Sequence, residues 1–165
     1  MRFWLDRLPS PVGELRLVGD DQGALRALEF DSHDERLHRL LARHYRSYEL
    51  VEGTAPAAIR QALEAYFDGD PSHLDAVPVA TGGTEFQRQV WLALRRIPAG
   101  TTISYGELAV RIGRPGANRA VGLANGANPV AIVVPCHRVI GANGTLTGYG
   151  GGLPRKRWLM EHERG

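Results

Sequence analysis

The stretch TTISYGELAVRIGRPGANRAVGLANG, Thr101 to Gly126, decides how the second half of the chain folds. Ser104 and Glu107 have the spacing of a capping box, so a helix opens behind them. Leu108, Ala109 and Ile112 recur at helical spacing, and Gly113 closes the element. After Arg114-Pro115-Gly116, the segment ANRAVGLANG reads as a second short helix. Two short helices joined by a tight Gly/Pro turn are a helix-turn-helix candidate. The second helix is small-sided, with Ala120, Gly122, Ala124 and Gly126 on it and one long cation, Arg119, near its start. Gly122 costs about 1 kcal/mol of helix stability relative to Ala. Such a helix suits close approach, either to another helix or to DNA, whose minor groove is roughly 6 Å wide.

Working upstream, Thr84 and Gln87 form another capping box ahead of Phe86, Val90, Trp91 and Leu94, and Pro98 ends that helix. Residues 68–83 are turn-rich without helical period and read as a linker. The chain therefore divides into 1–83 and 84–165. In the first part, residues 2–8, 14–19 and 24–30 are short apolar runs separated by the turn segments Pro9–Gly13 and Asp20–Gly23. They predict an antiparallel three-strand meander. Leu37, Leu40, Leu41 and Tyr45, then Ile59, Ala62, Leu63, Tyr66 and Phe67, predict two amphipathic helices on that sheet. The fold class is α+β: a small antiparallel-sheet domain followed by a mainly helical one.

Working downstream, Val130 to Val134 is an apolar run suited to a buried strand, and Pro135 breaks it before Cys136. Six glycines fall between Gly141 and Gly152, with Tyr149 among them. Backbone of this kind approaches a ligand closely. Pro154 starts a last helix carrying Trp158, Leu159 and His162. Arg155, Lys156 and Arg157 crowd its positive end, an arrangement that predicts a nearby phosphate.

With 165 residues the chain suffices for one ordinary domain or two small ones. No apolar run approaches the roughly 20 residues of a membrane span, and the start lacks the apolar core of a signal peptide. One cysteine forms no internal disulfide and excludes a multi-cysteine zinc site. A reducing, cytoplasmic setting is expected, with no metal or cofactor. Net charge is +2, but unevenly spread: residues 1–83 carry nine arginines and fourteen acids, residues 84–165 eleven basic residues and four acids. A basic half beside an acidic one suggests a polyanionic partner for the second half. Nineteen of the twenty basic residues are arginine.

A lone cysteine among apolar neighbours is ordinarily an inert small hydrophobe. Here His137 adjoins it, and Glu163 and Glu161 lie on the last helix. A thiol reacts as its thiolate, with an ordinary pKa of about 8.5. A histidine takes that proton, directly or through water, and a carboxylate orients the imidazole.

PCHRV at 135–139, preceded by NPVAIVV and followed by the TGYGGG run and a terminal WLMEHE, closely resembles the O6-alkylguanine-DNA alkyltransferases. RAVGLANG at 119–126 and TTISYGELA at 101–109 match the same family. The first half matches more loosely, through SPVGELRLV at 10–18 and AYFDGD at 65–70. The pattern is nearest the bacterial stand-alone methyltransferases. The resemblance implies a ribonuclease-H-like first domain and a winged-helix-like second one. It implies a DNA repair protein that acts once on duplex DNA, moving the alkyl group of O6-alkylguanine, and of O4-alkylthymine, irreversibly to Cys136. His137 and Glu163 take the roles of a histidine–water–glutamate relay. Asn128 ties the active-site strand to the helix-turn-helix. Tyr105 donates to guanine N3 as the base leaves and sits by the flipped nucleotide's phosphate. Arg119 enters the duplex in place of the extruded base. The carbonyls of Cys136 and Val139 accept from the guanine amino group, and Tyr149, Gly150 and Gly151 form the wall around the base. Ser104, Ala120, Gly122 and Asn125 join Tyr105 and Arg119 in the expected DNA surface. The protein is expected to be a monomer, with cooperative binding on DNA left open.

The chemistry agrees with this assignment. Reaching a base's Watson–Crick edge takes the nucleotide out of the stack, at a few kcal/mol. Guanine O6 leaves poorly unless the ring gains a proton. Gly150 stands where many relatives have serine, Asn118 precedes Arg119 where alanine is common, and the first domain lacks the cysteines of zinc-binding relatives. The tryptophan-for-cysteine change of non-catalytic relatives is absent, so activity is expected. The rival readings are a Cys–His hydrolase or acyltransferase, which would turn over, and a module that binds damage without removing it.

Overall fold

The computed structural model describes residues 1–165 and divides them into two compact units. The first unit comprises Met1–Gly83 with Pro129–Val133, and the second Thr84–Asn128 with Val134–Gly165. The sequence-based division gave all of 84–165 to the second part; the structure groups Pro129–Val133 with the first. No helix is long and apolar enough to cross a membrane.

In the first unit, β1 (Arg2–Leu8), β2 (Leu15–Gly19) and β3 (Leu25–Phe30) form the expected antiparallel meander. Gly19 sits where the indole of Trp4 crosses the strand: a Cβ there would lie 2.0 Å from Trp4 Cζ2, so only glycine fits. A fourth strand, β4 (Glu49–Glu52), pairs parallel with β1 and makes the sheet mixed, in the order β3-β2-β1-β4. The sequence reading missed it, because the run ELVE is short, polar and only lightly buried.

The other edge, β3, is covered by backbone rather than by a strand. Leu25 N donates to Pro78 O and Ala80 N to Leu25 O; Leu28 N donates to Pro129 O and Ala131 N to Leu28 O. An edge strand exposes unpaired amides and carbonyls, and these bonds satisfy them. Residues 78–80, expected in a linker, therefore form part of the first unit, and a 3-10 helix occupies Pro71–Ala76. The expected strand Val130–Val134 is likewise absent. It makes one bridge, Val130 to Leu28, and then bends at Ile132, which holds a φ of 71°. A β-branched residue in that region is strained, so tertiary packing overrides a local preference for strand.

Helices α1 (Asp34–His44) and α2 (Ala57–Phe67) lie where the apolar spacing predicts. Leu37, Leu41 and Tyr45 pack with Phe3, Val18 and Ala27 into one core cluster. Each buried Leu contributes about 1.5–3 kcal/mol.

The second unit holds α3 (Glu85–Leu94), β5 (Ile103–Ser104), α4 (Tyr105–Arg111), α5 (Asn118–Gly126), β6 (Val139–Ile140) and α6 (Leu153–Arg164). The Thr84–Gln87 capping box forms with both reciprocal bonds, at 3.1 and 3.0 Å. At α4 only half of the expected box forms. Ser104 Oγ accepts from Glu107 N, while the Glu107 carboxylate turns to Arg111. Helices α3, α4 and α5 pack on one another, and Trp91 Nε1 donates to Ala124 O at 2.9 Å, fixing α5 against α3. Strands β5 and β6 pair parallel over two residues each and bring the start of the helix-turn-helix beside the residues after the cysteine.

Candidate active site

Cys136 opens a one-turn 3-10 helix, Cys136–Arg138, whose three residues are all buried. Pro135 ends the preceding segment, and Cys136 N donates to Val134 O at 2.8 Å. Asn128, directly after the C-cap of α5, donates from Nδ2 to Val134 O at 2.8 Å. The side chain at the end of the helix-turn-helix thus holds the backbone two residues before the thiol.

Residues 137 and 163, far apart in sequence, meet here. His137 Nε2 lies 2.6 Å from Glu163 Oε2, with both side chains buried. Burial opposes charge on Glu163, yet hydrogen bonds from His137 and Arg138 hold its carboxyl well below the usual carboxylate range. Burial depresses the His137 pKa below its usual value, against the opposing pull of Glu163. The pair is therefore a carboxylate and a neutral imidazole. A carboxylate only accepts, so Nε2 carries the ring proton and Nδ1 is left as the basic nitrogen. Nδ1 is buried and makes no hydrogen bond to protein. Gly100 lets the turn before β5 lie against α6: its φ is 83°, and a Cβ there would sit 3.1 Å from Glu163 O.

Two residues of this site escaped the sequence reading. Arg138 donates to Glu163 from Nε at 2.8 Å and Nη2 at 3.0 Å, and from Nη1 to Ile97 O at 2.6 Å. It supplies the cation that, with the His137 hydrogen bond, keeps Glu163 ionised. Lys156 was expected with Arg155 and Arg157 at a phosphate. Instead its side chain is fully buried, and Nζ donates to Val139 O and Thr147 O, both at 2.7 Å. Arg155 bonds to Gly151 O at 3.1 Å. Burial pushes the Lys156 ammonium down to about 8, and a thiolate at Cys136 works in the other direction when it forms. A signal for Lys156 was present: it is the single lysine in a chain of nineteen arginines. A compact ammonium fits between two carbonyls where a planar guanidinium does not.

The remaining predicted residues fall as follows. Tyr105 is the first residue of α4, and its hydroxyl lies 2.9 Å from Thr147 Oγ1. Gly122 faces the Tyr105 ring, where a Cβ would sit 3.8 Å from it. Arg119 and Ala120 are exposed near the start of α5, and Ser104 caps α4. Asn125, expected on the DNA surface, is buried instead and donates from Nδ2 to Cys136 O at 3.4 Å. The period of α5 explains this, since Val121, Ala124 and Asn125 form its inner face. Tyr149, Gly150 and Gly151 lie in the turn that leads into α6.

Fold and site together define an α+β protein whose helix-turn-helix half also carries a buried cysteine beside a histidine–carboxylate pair. Residues 85–165 match the family described as 6-O-methylguanine DNA methyltransferase, DNA binding domain, and residues 7–81 match the ribonuclease-like domain of the same family. A Shigella flexneri methylated-DNA–protein-cysteine methyltransferase is 52% identical over 165 residues, covering 99% of this chain and 96% of that protein. A Mycobacterium tuberculosis protein of the same name is 50% identical over 159 residues, covering 95% and 90%. Among solved structures, Mycobacterium tuberculosis OGT in complex with DNA superposes with a TM-score of 0.79 at 44% identity, covering 99% of this chain and 93% of that one. An O6-methylguanine-DNA methyltransferase from Pyrococcus kodakaraensis gives 0.71 at 26%, covering 98% of both. The chain belongs to the 6-O-methylguanine DNA methyltransferase family. Its enzyme class is that of a methyltransferase acting through a protein cysteine.

Proposed function

We propose that this chain repairs duplex DNA by moving the alkyl group of O6-alkylguanine, and of O4-alkylthymine, to the sulfur of Cys136, once per molecule. The observation that carries the reading is the buried 2.6 Å bond between His137 and Glu163 next to the only cysteine. Its polarity leaves His137 Nδ1 as the base for the thiol proton, directly or through a bridging water.

The exposed α5 face, with Arg119 and Ala120, docks on the duplex. Arg119 fills the space of the lesioned nucleotide as it turns out of the stack. Tyr149, Gly150 and Gly151 line the base. The carbonyl of Cys136 accepts from Asn125 Nδ2, at a long 3.4 Å, and from the Val139 amide, and that of Val139 accepts from Lys156 Nζ. The guanine amino group joins these donors, replacing the long Asn125 bond at Cys136 O. The thiolate attacks the alkyl carbon in line, the S–C bond forms and the C–O6 bond breaks. Tyr105 gives its proton to N3, so guanine leaves neutral. The imidazolium proton then restores the phenol through solvent, and the net result moves the thiol proton to guanine. The thioether has no route back to a thiol.

The test is stoichiometric. Duplex carrying labelled O6-methylguanine is incubated with the protein and label per chain is followed. The reading predicts a plateau at one equivalent, and none for Cys136→Ser, which still binds the duplex. Label release that continues past one equivalent overturns it in favour of a hydrolase.

A further inference from the structure

Thr147 sits in the glycine-rich loop, outside any helix or strand, and none of the roles above involves it. Yet its two polar groups join the two sides of the site. Its hydroxyl lies 2.9 Å from the Tyr105 hydroxyl, and its carbonyl accepts from the buried Lys156 ammonium at 2.7 Å. The same ammonium holds Val139 O at 2.7 Å, three residues beyond the cysteine. Thr147 is half-buried, while the adjacent Gly148 is exposed, with open space where a Cβ would stand. Polar ties hold Thr147 in place.

We infer that Thr147 is a positioning residue for the transfer: its hydroxyl, donating to Tyr105 Oη, turns the phenolic proton toward N3 of the everted guanine. This inference rests on the proposed function, because it takes Tyr105 as the proton donor. Two facing hydroxyls can run a hydrogen bond in either direction. Once Tyr105 gives its proton to the base, only one direction remains, with Thr147 as donor. Negative charge then develops on the phenolic oxygen as its O–H bond breaks and N3–H forms. A donor already in place stabilises that charge without reorganisation, and more strongly in a water-poor site. Threonine suits the task, since β-branching limits its rotamers, while the Lys156 bond fixes the backbone beneath it.

The experiment measures single-turnover transfer from duplex O6-methylguanine for Thr147→Val, Thr147→Ala and Thr147→Ser, each alone and combined with Tyr105→Phe. Thr147→Val and Thr147→Ala are expected to slow transfer about threefold to tenfold, the size of one neutral hydrogen bond. Thr147→Ser keeps the hydroxyl and stays within about twofold. In the Tyr105→Phe background the Val and Ala changes have no further effect. The same holds for a duplex carrying 3-deaza-O6-methylguanine, which lacks the N3 acceptor. Melting temperatures check folding, and two variants without the hydroxyl keep the test open if one folds poorly. Equal losses in both backgrounds, or a Thr147→Ser loss as large as that of Thr147→Val, would show that Thr147 only holds the loop and overturn the inference. Wild-type protein that leaves Cys136 unmodified would instead remove the proposed function, whatever Thr147 does.

Discussion

The two units treat charge differently. In the first, exposed pairs such as Arg7 and Glu52, 2.6 Å apart with side chains 42% and 69% exposed, stand beside separate, more buried pairs such as Arg36 with Glu29 and Arg26 with Asp20. Its sheet and helices are held by Phe3, Val18, Leu37 and Leu41 packing against one another. In the second, His137, Arg138, Lys156 and Glu163 are all charged or titratable and all lie inside. Desolvating such groups costs several kcal/mol per ion, and apolar residues of similar volume would often give equal stability. Burial of this kind marks a place where charge serves chemistry. Surface pairs of the first kind contribute little, because water screens them and long side chains lose entropy.

Glu163→Gln should break the comparison most severely. It leaves Arg138 buried without its anion, and it removes the charge that polarises His137. The expected outcome is a loss of about 3–5 kcal/mol in stability, read by denaturant unfolding. Transfer should fall at least about a hundredfold. The variant also tests the pH argument. A carboxyl held below its usual value stabilises the fold above the unfolded pKa, and that contribution is lost as pH falls. In wild type, the Tm should therefore drop as pH falls below 4.5, and the drop should be shallower in Glu163→Gln. The depressed His137 acts in the same direction from 6.5 downward, since the unfolded ring binds a proton that the buried ring refuses.

Arg119→Ala sharpens the contrast from the exposed side of the same unit. Transfer from duplex DNA should slow about tenfold, with a weaker salt dependence of binding. Reaction with a free O6-substituted guanine should keep its wild-type rate, and equal slowing of the free base would rule Arg119 out as the inserted residue. Arg7→Ala should do least. Its partner Glu52 is exposed, so thermal unfolding should move by no more than about a degree.

The same contrast separates what was legible in the sequence from what was not. Helices α1, α2 and α3 were legible because apolar spacing and capping chemistry are local. The meander β1–β3 was legible through its turns. β4 was not, since Glu49–Glu52 becomes a strand only by pairing with β1, a contact more than forty residues away in sequence. Val130–Val134 misled for a related reason: its composition favours strand, but the bend at Ile132 is set by what surrounds it. At the candidate site, adjacency raised Cys136 with His137, but only the family resemblance chose Glu163 over Glu161; the structure brings His137 and Glu163 together. Arg138 was missed because a long cation normally faces solvent, and Lys156 because it sits in the basic run Arg155–Arg157, read as one exposed group. Only the pair of carbonyls on Val139 and Thr147 explains why one of three goes inside.

The most direct measurement is the mass of the peptide containing Cys136, after intact, reduced protein has met a duplex with one O6-methylguanine. A gain of one methyl group on that sulfur, matched by restored guanine in the DNA, is the predicted result. Restored guanine alongside an unmodified Cys136 would contradict the account.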